Sequence, residues 1–216
     1  MRIKKYTKSE ELTNIISHAL GFIVSLICFL PIIISAFKGE DYRKAVAFLL
    51  YMIAISLMFL SSSLYHSMTN PKLRIVFRAI DHGVIYLTIA GSYTPIILLG
   101  LRSKLSYFIF IFVWILAIFG IIMNIVTFSK GEEEKISKLS MAIYIIMGWL
   151  SLILFYQIVK YVGLGYFIFI LLGGLFYTVG AYFYSNKNIK YNHAIWHIFI
   201  LIATFTMFYG NYAYLA

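Results

Sequence analysis

The stretch YNHAIWHIFILIATFTMFYGNYAY, residues 191–214, decides the fold of this chain. It contains no charged side chain, and as a helix rising 1.5 Å per residue it is long enough to cross the roughly 30 Å hydrocarbon core of a bilayer. His193 and His197 stand near its start, four residues apart. On a helix the two imidazoles share one face, one turn apart, and could bind a single metal ion. A further ligand would have to come from another helix at the same depth.

Long apolar runs recur along the whole chain. Of the 216 residues 62% are hydrophobic and 12% are charged, with a mean hydropathy of +0.89, whereas soluble domains are about half apolar and a quarter charged. A soluble domain could not bury so much apolar surface. The runs cover residues 12–37, 45–65, 79–100, 105–128, 139–159, 163–184 and 192–214. We therefore predict an all-α fold, a bundle of seven transmembrane helices, with residues 1–216 forming a single domain.

The positions of Lys and Arg predict the orientation of this bundle. The formal net charge of +10 might suggest nucleic acid in a soluble protein, but here the cations lie in connections beside the bilayer, where they set topology. The N-terminus and alternate connections carry twelve of the 18 Lys and Arg residues. The positive-inside rule therefore predicts a cytoplasmic N-terminus and a C-terminus outside. No nucleic-acid partner is expected.

The first apolar run combines a spanning helix with a polar stripe. It follows a basic stretch, as in a signal peptide, but it is too long for the apolar part of one and has no convincing cleavage site. Polar and small residues recur at helical spacing along its start: Glu11, Asn14, His18 and Gly21. Such a stripe is predicted to face protein rather than lipid. A helix start with interfacial polar residues is the alternative.

Two other runs place polar side chains at the same side of the predicted bundle. The second run ends with Ser62 and His66, which are four residues apart and share one helical face. The third begins near Asp81, whose carboxylate would cost a few kcal/mol if it were unpaired in hydrocarbon. With a cytoplasmic N-terminus, every histidine of the chain falls on that side: His18, His66, His82, His193 and His197. The sequence thus predicts a polar cluster near the cytoplasmic leaflet.

Three of these histidines could form a metal site. His66, His193 and His197, with water in the fourth position, would make the open tetrahedral arrangement of catalytic zinc. Asp81 could then orient that water and accept its proton, and Ser62 or Asn192 could supply further polar contacts. Zinc lowers the pKa of a bound water to about 7, which suits hydrolysis of an amide or ester. The same donors could hold iron or manganese, and a hydrogen-bonded cluster without metal is also compatible with the spacing.

Taken together, these motifs resemble a known family. In chain order over seven spans they read Glu11-x-x-Asn14-x-x-Ser17-His18, Ser62-x-x-x-His66, Asp81-His82, Ala90-Gly91-Ser92-Tyr93-Thr94-Pro95 and His193-x-x-x-His197. The set closely resembles the bacterial hemolysin III family, in the wider group of progestin and adiponectin receptors, with alkaline ceramidases as more distant relatives. The resemblance covers essentially the whole chain, and its motifs are specific only in combination.

The resemblance implies a seven-helix bundle in the bacterial plasma membrane with a zinc site near the cytoplasmic leaflet. It places the zinc ligands on His66, His193 and His197, a water-associated carboxylate on Asp81 and the motif serine on Ser62. Adiponectin receptors of this group are associated with ceramide hydrolysis, so a ceramide-like or other acyl lipid is the expected substrate. The long N-terminal domain of those receptors has no counterpart here, and hormone binding is not expected.

Two functions from different classes follow. The first is a zinc-dependent hydrolase of a lipid amide or ester, with Asp81 as general base. The second is a non-enzymatic membrane-homeostasis, receptor-like or pore-forming, hemolytic protein in which zinc only ties helices together. Three His ligands favour an open site, and no run shows the charged stripe expected of a pore lining. The sequence does not assign His18 and His82, the lipid, or the oligomeric state.

Overall fold

The computed structural model describes residues 6–130 and 133–216, and within these ranges the chain is helical without any β-strand. The elements, in chain order, are α1 (Lys8–Lys38), α2 (Tyr42–Ser67), α3 (Pro71–Pro95), a π-helical segment (Ile96–Gly100), α4 (Lys104–Lys130), α5 (Glu133–Trp149), a 3₁₀ segment (Leu150–Leu154), α6 (Phe155–Tyr161), α7 (Leu164–Ser185) and α8 (Asn192–Leu215).

The described residues contain seven helical segments long and apolar enough to cross a membrane. The fifth span, Leu139–Tyr161, joins the end of α5 to α6 through the 3₁₀ segment, and the third continues from α3 into the π-helical segment. The predicted all-α fold with seven transmembrane helices is therefore confirmed. Most helix ends lie within a few residues of the apolar runs.

The third span begins earlier than its apolar run, at Pro71 rather than near residue 79. The Asn70 side chain accepts hydrogen bonds from the backbone N–H groups of Lys72 and Leu73, and Pro71 occupies the first helical position. An Asn cap followed by Pro is a strong helix start. The prediction missed these turns because basic residues interrupt the apolar pattern there. One of these basic residues, Arg74, forms an ion pair with Glu11 of α1.

A capping box sets the start of α1. The Thr7 hydroxyl accepts from the Glu10 backbone N–H, and the Glu10 carboxylate accepts from the Thr7 backbone N–H at 2.8 Å. The helix therefore begins four residues before the apolar run and includes Glu11 in its first turn. Asn14 and His18 follow on the same face and are buried. This confirms that the polar stripe of the first run faces protein.

The first and last spans are neighbours in the bundle. Helix α1 packs against α2 and α8, α2 packs against α3, and α8 packs against α7. A Cβ atom on Gly21 would lie 2.7 Å from the side chain of Leu201 and 2.8 Å from that of Phe59. Glycine at this position thus lets α1 approach both α8 and α2 closely, one turn from His18.

The apolar core has two parts. Between α1, α2 and α8 it is centred on aromatic residues such as Phe29 and Tyr51. Between α3 and the helices from α4 to α7 it includes Tyr86 and Tyr166. The outer face of α4 carries isoleucines that are more than half exposed, including Ile111 and Ile115. An apolar surface of this extent on a bundle of spanning helices is the one that lipid covers.

Candidate metal centre

Three histidines from two helices meet inside the bundle. His66 lies in the last turn of α2, and His193 and His197 lie in the first turns of α8. All three are buried, and one nitrogen atom of each lies within 4.8 Å of the other two. The Nε2 atoms of His66 and His193 are 3.0 Å apart. The two histidines of α8 and the histidine of α2 thus lie together, as predicted. Their nitrogen atoms could bind a metal ion, because converging imidazole nitrogens are the ligands of open zinc sites.

Glu11 determines which ring nitrogen of His66 carries the proton. Its carboxylate oxygen Oε2 lies 2.7 Å from Nδ1 of His66, and because an ionised carboxylate only accepts hydrogen bonds, Nδ1 carries the proton. The lone pair of the neutral imidazole then lies on Nε2, the atom that faces His193. Arg74 on α3 donates to the second oxygen of Glu11. A carboxylate behind a histidine in this way is typical of metal-binding histidines, since it orients the ring and raises its basicity.

Ser17 has the corresponding role for His197. The Ser17 hydroxyl donates to the backbone carbonyl of Asn14 at 3.0 Å, so its oxygen accepts from Nδ1 of His197 at 3.2 Å. The lone pair of His197 is therefore on Nε2, which lies 3.5 Å from the hydroxyl of Ser62. His66 and His197 thus both carry an unprotonated Nε2 atom, the form of imidazole that binds a metal.

Asp81 and Ser62 line one cavity with the two histidines of α8. Both are buried, and the cavity that they line together with His193 and His197 is here called the polar cavity. Within the described part of the chain, the group of donors close enough to share one ion contains the three histidines but not Asp81. This position suits a group that acts on a ligand of the metal, and the catalytic roles of Asp81 and Ser62 stay predictions.

The other two histidines also belong to this end of the bundle. The His18 ring stacks on that of His197, with centroids 3.6 Å apart and an angle of 15° between the planes. His82 places Nδ1 3.9 Å from an oxygen of Asp81. Both rings line the same cavity. All five histidines therefore lie in one polar cluster, as the sequence predicted.

A family model described as "Haemolysin-III related" matches residues 6–208. This chain belongs to the haemolysin III family. It is 38% identical over 208 residues to "Hemolysin-3" of Bacillus cereus, covering 96% of this chain and 92% of that protein. It is 36% identical over 204 residues to the "Hemolysin-3 homolog" of Bacillus subtilis, covering 94% and 93%. The human "Monocyte to macrophage differentiation factor" is 27% identical over 217 residues, covering 98% of this chain and 87% of that protein.

Family membership and seven apolar helices together make this a multi-pass membrane protein, consistent with the plasma membrane of a bacterium. The matched residues include His66, His193 and His197, so the three histidines lie within the part of the chain that defines the family. The expected resemblance to the haemolysin III family is thereby confirmed.

The sequence did not predict several partners of the histidines in this haemolysin III protein. Arg74 was assigned only to membrane topology, and Glu11 was recognised as part of a buried stripe without a partner. The Tyr6 ring lies 5.6 Å from that of His66 and 5.3 Å from that of His193. Burial raises the pKa of Tyr6 far above its usual value, so its phenol stays protonated. An acidic residue in a protein-facing stripe was the available signal, because it requires a cationic or donating partner.

Proposed function

We propose that this haemolysin III protein is a zinc-dependent hydrolase that cleaves an amide or ester bond of a membrane lipid. The main support is a group of three buried histidines, two of which, His193 and His197, line a cavity together with the buried side chain of Asp81. Three histidine ligands leave a fourth position for water or substrate, which is the arrangement of catalytic zinc. Zinc bound there would polarise a carbonyl group and make water more acidic.

Asp81 is the residue placed to move the proton of the attacking water. Asp81 lines the cavity together with Ser62, His193 and His197. A hydrogen bond donated by the Ser62 hydroxyl would hold one carboxylate oxygen in place and leave the other to accept a proton. The protonated carboxyl can then return that proton to the departing amine or alcohol, which completes hydrolysis to a free acid.

An apolar cavity adjoins the polar one. Aromatic and aliphatic residues make up most of its lining. The two cavities share the lining residues Met58, Ile85, Met141, Tyr144, Trp196 and Ile200. An amphipathic molecule could therefore place an acyl chain in the apolar cavity and a polar bond beside the histidines. This shape supports a ceramide-like or other acyl lipid as substrate.

The side of the membrane follows from the positive-inside rule. Twelve of the 18 Lys and Arg residues belong to the N-terminus and the connections at the end of the bundle that carries the histidines. We therefore place this end, and the cleavage of the lipid, at the cytoplasmic leaflet. A lipid of that leaflet would enter between helices without leaving the bilayer.

A second function is supported by a different observation. The three donors link α2 and α8, whose backbones hardly approach one another because each packs against α1. A metal held there would tie α2 to α8 at this end of the bundle. In that case the protein would be a receptor-like, membrane-homeostasis or pore-forming protein with structural zinc, and the name "Hemolysin-3" of the Bacillus cereus relative points to lysis by that protein.

Metal content and lipid hydrolysis, measured on the same samples, separate the two functions. The full-length protein would be purified in lipid nanodiscs without chelator, beside the double variant His193→Ala/His197→Ala. We expect about one zinc per wild-type chain by elemental analysis and none in the double variant. We also expect release of free fatty acid from a panel of ceramides and phospholipids by the wild type, measured by mass spectrometry. Chelation should abolish this release and added zinc should restore it.

Thermal melts of the same samples complete the design. A structural metal predicts a large fall in melting temperature on chelation together with no cleavage of any lipid in the panel. Zinc binding without cleavage therefore contradicts the hydrolase and favours the structural metal. A wild type that takes up no metal after zinc is offered contradicts both functions.

A further inference from the structure

The polar cavity contains one more histidine, which the three-histidine group does not use. His18 on α1 is only 2% exposed, and neither its Nδ1 nor its Nε2 has a hydrogen-bond partner among the described residues. An imidazole carries one donor and one acceptor when neutral, and burying both without partners destabilises a fold. Such a group in a native structure calls for an explanation, and a ligand in the adjoining cavity is one.

The contacts of His18 hold its ring in place. One face of the ring stacks on His197, with centroids 3.6 Å apart, and the ring meets Phe59 edge to face at 5.2 Å. The close approach of α1 at Gly21, one turn further along, brings this part of the helix against α2 and α8. The ring nonetheless lines the cavity together with Ser62 and Asp81. His18 thus lines the cavity with a ring whose two nitrogen atoms are buried and lack hydrogen-bond partners among the described residues.

The same geometry argues against His18 as a fourth metal ligand. Imidazole lone pairs lie in the plane of the ring, and the planes of His18 and His197 are within 15° of parallel. Lone pairs of two rings stacked 3.6 Å apart run side by side and do not converge on one ion. Within the described residues, the group of donors close enough to share an ion leaves out His18. His18 is therefore not counted among the metal-binding residues, and neither of its nitrogen atoms has a partner among the described residues.

We propose that His18 binds the carbonyl group of the lipid, donating a hydrogen bond from its imidazole N–H to the carbonyl oxygen of the amide or ester. This role presupposes the hydrolase proposed above and names the residue that recognises the substrate's polar group. The second ring nitrogen accepts from an N–H or O–H group next to that carbonyl. A donor held rigidly at this oxygen also stabilises the negative charge that develops there during hydrolysis.

Polar contacts of this kind decide which lipid is held. An acyl chain that moves from the bilayer into the apolar cavity exchanges one apolar environment for another, so it gains little from the hydrophobic effect. A site built to hydrogen-bond a polar group strongly rejects molecules that lack it. His18 would therefore select lipids with a carbonyl group at the depth of the histidines.

Binding of dodecanohydroxamic acid to the zinc-loaded, full-length protein tests this role. The molecule has an acyl chain, a carbonyl group and a zinc-binding head, and its binding requires no turnover. His18→Phe keeps an aromatic ring for stacking but removes both nitrogens, and His18→Gln restores an N–H donor. We expect His18→Phe to bind zinc as the wild type does and to bind the hydroxamate about tenfold more weakly by calorimetry. His18→Gln should recover part of this loss.

Ser25→Ala is the matched control on the same helix. Ser25 is buried, hydrogen-bonds to Ser56 at 2.9 Å and does not line the polar cavity, so its loss should leave zinc and hydroxamate binding unchanged. The role of His18 is overturned if His18→Phe binds the hydroxamate as tightly as the wild type does. It is also overturned if His18→Phe loses zinc, or if the wild type binds no hydroxamate. A wild type that binds hydroxamate but cleaves no lipid rejects the hydrolase alone, and the ratio of affinities still decides on His18.

Discussion

The two ends of α8 both carry buried polar side chains, but they use them differently. Near the C-terminal end, Asn211 accepts a hydrogen bond from the Tyr166 hydroxyl at 3.0 Å and donates one to the backbone of Met207 at 3.0 Å. Near the N-terminal end, the histidines line a cavity, and His18 beside them has no hydrogen-bond partner among the described residues. Buried polarity thus serves packing where its hydrogen bonds are complete, and indicates a ligand site where they are not.

The two polar regions are far enough apart to be tested separately. Asn211 follows His197 by fourteen residues, which places them about 21 Å apart along the helix. Substitutions at that distance usually have independent effects. Changes at the histidine end should therefore alter metal binding and turnover, whereas changes at the Asn211 end should alter stability alone.

The largest effect is expected for Asp81→Asn. Asparagine keeps the size of the side chain and can still hydrogen-bond to Ser62, but it cannot take up a proton. Zinc content should stay at the wild-type level while kcat/KM for fatty acid release falls by about 10²–10⁴. Both quantities would be measured on one preparation, by elemental analysis and mass spectrometry. Turnover equal to that of the wild type would remove Asp81 from the mechanism.

An intermediate effect is expected for Glu11→Gln. The substitution removes the negative charge that faces Nδ1 of His66 and the Arg74 guanidinium. We expect the dissociation constant for zinc to rise by about 10–100-fold, measured by competition with a chromophoric chelator. The control is Glu10→Gln, the same change one residue earlier, because glutamine can also complete a capping box. If both variants bind zinc equally well, Glu11 does not support the metal centre.

The smallest effect is expected for Tyr166→Phe, at the other end of α8. This variant deletes the hydroxyl that donates to Asn211 and leaves the amide oxygen short of a donor. The free energy of unfolding should fall by roughly 0.5–2 kcal/mol, measured by denaturation in bicelles, with zinc content and turnover unchanged. Tyr156→Phe, at a side chain that is 70% exposed, should leave stability unchanged. Loss of zinc from Tyr166→Phe would show that the two ends are coupled.

Much of the fold could be predicted because apolar length alone identifies a spanning helix. The histidines of α8 could be paired because helical periodicity places residues four apart on one face. His66 could be added because its predicted position in the membrane lies at the same depth. The start of α3 could not be predicted in this way, because Lys72 and Arg74 hide it from an analysis based on hydrophobicity. The sequence therefore indicates which residues lie at one depth of the membrane.

The partners of the histidines depend on how the helices are rotated against one another. Glu11 contacts His66 and Arg74, which lie 55 and 63 residues later in the sequence. Ser17 contacts His197, which lies 180 residues later. Periodicity shows that a face is buried but not which helix it meets or at what register. The pairing of Tyr166 with Asn211 was missed for the same reason, since each lies in an otherwise apolar or aromatic stretch.

The contact between α1 and α8 has a consequence for how the protein is made. The bundle closes where the first spanning helix meets the last, and the metal donors and their supporting residues come from α1, α2, α3 and α8. A nascent chain that has inserted all helices before α8 holds one histidine of the three. If the three histidines bind a metal as we propose, full metal affinity arises only after the last helix is inserted, and metal uptake would then mark completed biogenesis.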